Sequence, residues 1–148
     1  MGVGEIICAD AILKDGQPRI NCEVLPVETA RKGPMLTVPT ALFTPQEKLS
    51  AQASGALAVE MEAYPMAVWA KQQGIPFYHA RVILDTWDEK LPDLNGAINT
   101  TGKVRLIPFF KQLALHPGLF RELWWLVGRI RSVNPALEDL SREIARSF

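Results

Sequence analysis

GALAVEMEAYPMAVWAKQQGIPFYHARVILDTWDE, residues 55–89, decides how this chain folds. Ala56–Glu60 is a short apolar run of the kind that forms strands buried on both faces. From Glu62 to Gln73 the spacing turns helical, with Tyr64, Met66 or Ala67, and Ala70 three or four residues apart. Pro65 fits such a helix only in its first turn, where a missing N–H costs nothing. Gly74 suits the position just past the helix end, and Pro76 prevents the helix from continuing. Phe77–Leu84, rich in aromatic and β-branched residues, reads as a second strand. The stretch therefore predicts a β-α-β unit with parallel strands.

Such connections are right-handed, and ligands bind outside the carboxyl ends of the strands. The first strand ends at Glu60-Met61-Glu62 and the second at Asp85, which predicts three carboxylates at one sheet edge. Parallel neighbours lie about 4.8 Å apart, so Glu62 and Asp85 are expected to face one small ligand. The plainer reading is that Glu62 starts the helix, where negative charge is favoured, and that Asp85 opens a turn.

The flanking sequence builds outward from this unit. Glu5–Ala9 reads as an apolar strand, Lys14-Asp15-Gly16-Gln17 as a turn, and Arg19–Leu25 as a second strand of a hairpin. Glu28–Pro34 reads as a polar loop and Met35–Pro39 as a strand that Pro39 keeps short. Thr44-Pro45-Gln46-Glu47 carries a cap residue, a first-turn proline and a glutamate three after the cap, so a helix runs from there to about Ser54. Leu91–Lys103 reads as loop, punctuated by Asn95-Gly96 and Thr101-Gly102. Arg105–Phe148 reads as helices that start at Pro108, break at His116-Pro117-Gly118 and restart at Asn134-Pro135. Phe120, Leu123, Trp124 and Val127 are expected to share one apolar face, and Leu137, Leu140, Ile144 and Phe148 another.

Composition narrows the functional classes. The 148 residues are enough for one domain with a real core. Sixteen basic residues balance sixteen acidic ones, which gives no footprint for nucleic acid. MGVGEIICAD has no charged segment followed by an apolar core, and no uncharged run reaches the roughly 20 residues that span a bilayer. Cys8 and Cys22 are too few for a disulfide framework and fit reduced thiols in a cytoplasmic protein. With two histidines and no C-x-x-C pair, no metal site is expected. No G-x-S-x-G elbow supports serine hydrolase chemistry.

Three ordered blocks then acquire a joint meaning. AVEMEA (58–63), GIPF (74–77) and RVILDTWDE (81–89) resemble the nucleoside phosphorylase and nucleosidase family, which includes methylthioadenosine/adenosylhomocysteine nucleosidases and purine nucleoside phosphorylases. GPMLTV (33–38) and the basic, Leu-rich tail are most similar to the group called hopanoid-associated phosphorylases. The resemblance implies an α/β fold with a mixed, largely parallel sheet flanked by helices. It also makes residues 1–148 a single domain equivalent to the second half of the family's fold, with a helical tail over 105–148. GVGEIICADAIL (2–13) looks like the family's mid-chain strand. The family's opening strands and Gly-rich phosphate loop have no counterpart, as in a fragment, a split-gene product or a degenerate protein.

By the same resemblance, Asp85 matches the general acid that protonates the leaving base and Glu62 the residue that grips the ribose hydroxyls. Met61 would lie against the sugar, Arg81 would support the site, and Phe43 or Leu42 would rest on the base. Such an acid needs a partly buried site to hold a proton at neutral pH. Leu84 departs from the serine or threonine that the family places before the aspartate, which removes a hydroxyl from the site. No cofactor is implied, with phosphate as a co-substrate in the phosphorolytic case.

Simpler roles compete at other positions. Glu60 reads as a rim carboxylate pointing away from the pocket, Tyr64 and Trp87 as packing residues that could line an entrance, and His79 as a core or interface histidine. The expected activity is cleavage of the N-glycosidic bond of a purine nucleoside, which the tail's affinity for lipid would extend to a lipid-linked one. The alternative is a non-catalytic or partner-dependent binding module. Half a sheet leaves an open edge, so a homo-oligomer or partner chain is expected. The apolar, Trp-bearing segment Leu106–Ile130 could rest on a membrane surface, although ordinary packing explains it as simply.

Overall fold

The computed structural model describes residues 1–92, 115 and 118–147. Its sheet is organised around β1 (Ile6–Leu13), which is apolar on both faces and therefore has to be covered on both. On one face Ile7, Ala9 and Ile12 pack with Met35 and with Ala63, Tyr64 and Ala67 of a helix. On the other, Ile6 and Cys8 pack with Leu25, Val27 and Leu140. The step from Ala9 to Ile12 spans three residues because β1 bulges at Asp10. The bulge lies beside Pro34, which has no N–H to offer the ladder.

β2 (Ile20–Asn21) returns antiparallel to β1 across the expected turn, closed by the Gln17 N–H donating to the Lys14 carbonyl at 3.0 Å. β3 (Arg31–Thr37) runs parallel to β1 and begins well before the expected Met35. Residues 31–34, read as loop, join the sheet because β1 is long enough to pair them. At Gly33 any side chain would collide with Leu57. α1 (Pro45–Gln52) starts with the predicted capping box: Thr44 Oγ1 accepts from the Glu47 N–H at 3.3 Å, and Glu47 Oε2 accepts from the Thr44 N–H at 2.9 Å. β4 (Ala58–Glu60) then pairs parallel with β3. α2 (Ala63–Gln73) ends at Gly74, whose φ of 65° is the left-handed conformation glycine tolerates.

β5 (Ala80–Val82) corrects the central expectation. It pairs antiparallel with β1, opposite Ile6–Cys8, and is separated from β4 by β1 and β3. The unit is thus not a pair of parallel neighbours, and the carboxyl ends of β4 and β5 point in opposite directions. The physical reason lies in α2, which carries the chain over β3 and β1 to the free edge of β1. Its buried residues are mostly alanine, so the helix can lie close to Ile7 and Ile12. The new edge is secured outside the short ladder by Gly4 N–H to the Ile83 carbonyl and Ala9 N–H to the His79 carbonyl, both 2.8 Å. The sheet is mixed, parallel through β1–β3–β4 and antiparallel at β2 and β5, with helices flanking it.

α3 (Gly118–Ser147) is one helix of 30 residues running through Pro135, not two helices meeting there. Proline removes one bond to the carbonyl four residues earlier, and burial of Val133 before it and Leu140 after it holds the two halves together. Of the two expected apolar faces, Leu140 and Ile144 of the second pack on the core, while the first is turned outward. Leu119, Val133 and Leu140 turn inward, whereas Phe120, Trp124, Val127 and Leu137 are exposed. Among the described residues, no helix is long and apolar enough to cross a membrane. The expectations for Asn95-Gly96, Thr101-Gly102, Pro108, His116-Pro117 and Phe148 lie outside the described residues.

Candidate functional site

The β4–α2 corner is built by its own backbone. An α-helix starts with donors that lack intrahelical partners. Here Glu60 Oε2 accepts from the Glu62 and Ala63 N–H groups, both at 2.6 Å, and Thr37 Oγ1 accepts from the Tyr64 N–H at 3.0 Å. Pro65, next in line, has no N–H to satisfy. The Thr37 hydroxyl donates in turn to Glu60 Oε1 in a short contact. Glu60 is therefore buried, 5% exposed, and its carboxylate caps the helix that Glu62 begins. Glu62 occupies the cap position without a capping side-chain bond, and its carboxylate is left free to face outward. Arg81 Nη2 donates to it at 3.1 Å and lies 3.7 Å from Glu60 Oε2, so one guanidinium bridges the buried and the exposed carboxylate.

The exit from β5 is built differently. Asp85 Oδ2 accepts a short hydrogen bond from Lys48 Nζ. The same ammonium donates to the Thr86 carbonyl at 3.0 Å and to the Glu89 carbonyl at 2.6 Å. Lys48 is the buried residue of α1, 9% exposed, whereas its neighbour Leu49 is 55% exposed. The turn beyond Asp85 is further tied by Leu91 N–H to the Phe43 carbonyl at 2.9 Å and by Arg129 of α3, which pairs with Glu89.

A cavity of about 610 Å³ joins the two corners, lined among others by Leu42, Lys48, Met61, Glu62, Arg81 and Asp85. That volume lies within the range of small-molecule sites. The expected edge-to-edge meeting of Glu62 and Asp85 on parallel neighbours is thus replaced by a shared cavity wall. Met61 is half-exposed on that wall. Of the two residues expected against a base, Leu42 lines the cavity and Phe43 does not; its backbone instead donates to Glu47 and accepts from Leu91. Glu60 also reaches the cavity lining, contrary to the rim expectation, but its oxygens are occupied by the helix start and by Thr37.

His79 is half-buried, stacked on Phe77 with ring centroids 6.1 Å apart, and accepts from Arg81 Nε at 3.4 Å. Burial, with the Arg81 charge beside it, holds its imidazole below its ordinary range. Burial and the nearby Asp10 push the Cys22 thiol up to about 11. Among the described residues, no three His, Cys, Asp or Glu side chains cluster as a metal site.

Lys48 was not among the residues singled out from sequence. Nothing local marks it, because its partner lies 37 residues away and its neighbours read as a solvated helix. The only sign is structural, in a helix that buries its lysine and exposes its leucine.

No curated protein sequence matches the chain. Among solved structures, it is similar to the S-adenosylhomocysteine nucleosidase of Streptococcus pyogenes in complex with 5-methylthiotubericidin. That match has 21% identity and a TM-score of 0.51, over 60% of this chain and 50% of that one. It is also similar to the 5′-methylthioadenosine/S-adenosylhomocysteine nucleosidase of S. pneumoniae with a transition-state inhibitor, at 16% identity and a TM-score of 0.50, over 59% and 50% of the two chains. The chain spans about half the length of these structures, and the likeness is one of fold. Residues 6–105, which hold both corners of the cavity, match the family model of the phosphorylase superfamily, and the chain belongs to that superfamily.

Proposed function

We propose that this chain cleaves the N-glycosidic bond of a purine nucleoside, with water or phosphate as the acceptor. The observation that carries the reading is that one cavity is lined together by Met61, Glu62, Arg81 and Asp85. Breaking the bond needs a proton on the departing base and support for positive charge on the sugar. Asp85 is the proton donor to the base, carrying its proton on Oδ1 while Oδ2 accepts from Lys48. Among the described residues its Oδ1 accepts no hydrogen bond, which leaves that oxygen for a ligand. Glu62, mostly exposed and anchored on one side by Arg81, accepts from the ribose hydroxyls and offsets the developing charge. Met61 supplies the apolar contact beneath the sugar. The products are the free base and either the free sugar or its 1-phosphate.

The test is release of adenine by the purified chain from methylthioadenosine, adenosylhomocysteine and adenosine, with and without phosphate. Asp85→Asn keeps the shape but cannot donate as an acid, and should lower release by about 10²-fold or more. No release from folded wild-type protein with any of these substrates rejects the catalytic reading.

A second reading is a binding or partner-dependent module that keeps the cavity without turning over. Leu84 favours it, since it brings no hydroxyl to the residue before Asp85. The exposed Phe120, Trp124 and Val127 of α3 favour an assembly role, in which that helix meets a second copy, a partner chain or a membrane surface. A lipid-linked nucleoside is the substrate form that would join the two readings.

A further inference from the structure

We infer that Lys48 is the positioning residue for Asp85, so that the acid and its orienting cation act as one unit supplied by two separate elements. The inference rests on the proposed cleavage reaction for its kinetic part and on the geometry of the 85–89 turn for its structural part. An ammonium has three donors and no acceptor. Lys48 spends all three on this turn, at Asp85 Oδ2, the Thr86 carbonyl and the Glu89 carbonyl. It does so from a site 9% exposed, where an unpaired ammonium would be costly. Its position is fixed in turn by a capped helix, since the Thr44–Glu47 box sets the first turn of α1 immediately before it.

The turn is also closed by its own bonds. Glu89 N–H donates to the Thr86 carbonyl at 3.2 Å, and Glu89 Oε2 accepts from the Thr86 N–H at 2.9 Å. Those bonds shape residues 86–89 but do not reach the Asp85 carboxylate. Among the described residues, Lys48 is the side chain that does. It therefore decides which rotamer Asp85 presents to the cavity. Substrate contacts that do not involve Asp85, through Met61 and Glu62, are left untouched by its loss.

The experiment compares wild type, Lys48→Met, Lys48→Arg, Asp85→Asn and the Lys48→Met/Asp85→Asn double variant. Base release is measured under saturating and limiting nucleoside, and amide hydrogen exchange is followed over residues 84–91. Lys48→Met keeps the apolar stem, so it should fold. It should lower kcat about 10²-fold with KM changed only a few-fold, and Lys48→Arg should recover part of the loss. The double variant should be no slower than Asp85→Asn alone, because residues that act as a unit are not additive. Multiplicative losses in the double variant, or Lys48→Met turning over as wild type or faster, would overturn the inference. If wild type itself releases no base, the cleavage reading fails and the exchange data decide the remainder. Faster exchange over 84–91 in Lys48→Met upholds Lys48 as the clamp on the turn that carries Asp85, and unchanged exchange refutes it.

Discussion

At the β4–α2 corner, Glu60 binds backbone two and three residues away, and its partner Thr37 is the neighbouring residue on β3. At the end of β5, Asp85 is held by a lysine 37 residues earlier, on a helix that belongs to neither flanking strand. At the first corner the bonds from Glu60 to the helix start are short-range, and those of Thr37 need only the pairing of β3 with β4. The second exists only once α1 has docked. A carboxylate used for architecture is buried and saturated, as Glu60 is. One available for chemistry is held at one oxygen and open at the other, as Asp85 is. The two corners therefore predict opposite responses to substitution, with stability affected at the first and turnover at the second.

The largest effect on stability should come from Glu60→Ala. It strips two backbone donors and the Thr37 hydroxyl of their acceptor at a buried helix start. Lost caps cost up to about 2 kcal/mol, and charged hydrogen bonds about 1.5–3 kcal/mol each, with partial rescue by water. Urea unfolding should show a loss of about 2–4 kcal/mol on that basis. Asp85→Asn in the same assay keeps an acceptor for Lys48 but not its charge, so it should cost less stability than Glu60→Ala while losing activity. If Asp85→Asn proves the more destabilising of the two, the division between an architectural and a chemical corner is wrong.

Thr37→Val sharpens the comparison within the first corner. It removes one hydroxyl that serves both Glu60 and the Tyr64 N–H but leaves the two bonds from Glu60 to the helix intact. The expected cost is about 1–2 kcal/mol, close to that of one unsatisfied buried donor. The double variant with Glu60→Ala should fall short of the sum of the single losses, because the two residues share a network.

The same contrast explains what could be read from the sequence. The helix start at Thr44-Pro45-Gln46-Glu47, the hairpin at Lys14–Gln17 and the α2 stop at Gly74 are local chemistry, and all three stand where expected. The partnering of β5 is not local. Its aromatic and β-branched composition says strand but not which edge, and the free edge of β1 took it instead of β4. Pro135 reads as a break because the rule for proline is local, whereas burial of Val133 and Leu140 on either side of it is tertiary. At the site, Met61, Glu62, Arg81 and Asp85 could be named from their motifs, and the cavity gathers them. Lys48 could not, since a lysine in a polar helix looks solvated until the rest of the chain closes over it.

The smallest effect concerns His79, which lies between the two corners in chain order and touches the first through Arg81. Its imidazole accepts from Arg81 Nε, so it is held neutral. Burial and the Arg81 charge oppose protonation, while Glu60 and Glu62 favour it more weakly. The folded form therefore takes up a proton at lower pH than the unfolded chain, whose ordinary value is 6.5. Where the unfolded state binds more protons, stability falls as pH falls. The loss begins as pH drops through about 6.5 and is complete below the depressed folded value. His79→Phe keeps the ring against Phe77 and removes the titration. Its stability relative to wild type should therefore improve steadily between about pH 7 and pH 5, by less than either substitution above. A difference that stays flat across that interval would mean that protonated His79 is tolerated in place, and that the Arg81 bridge to Glu60 and Glu62 is looser than its geometry indicates.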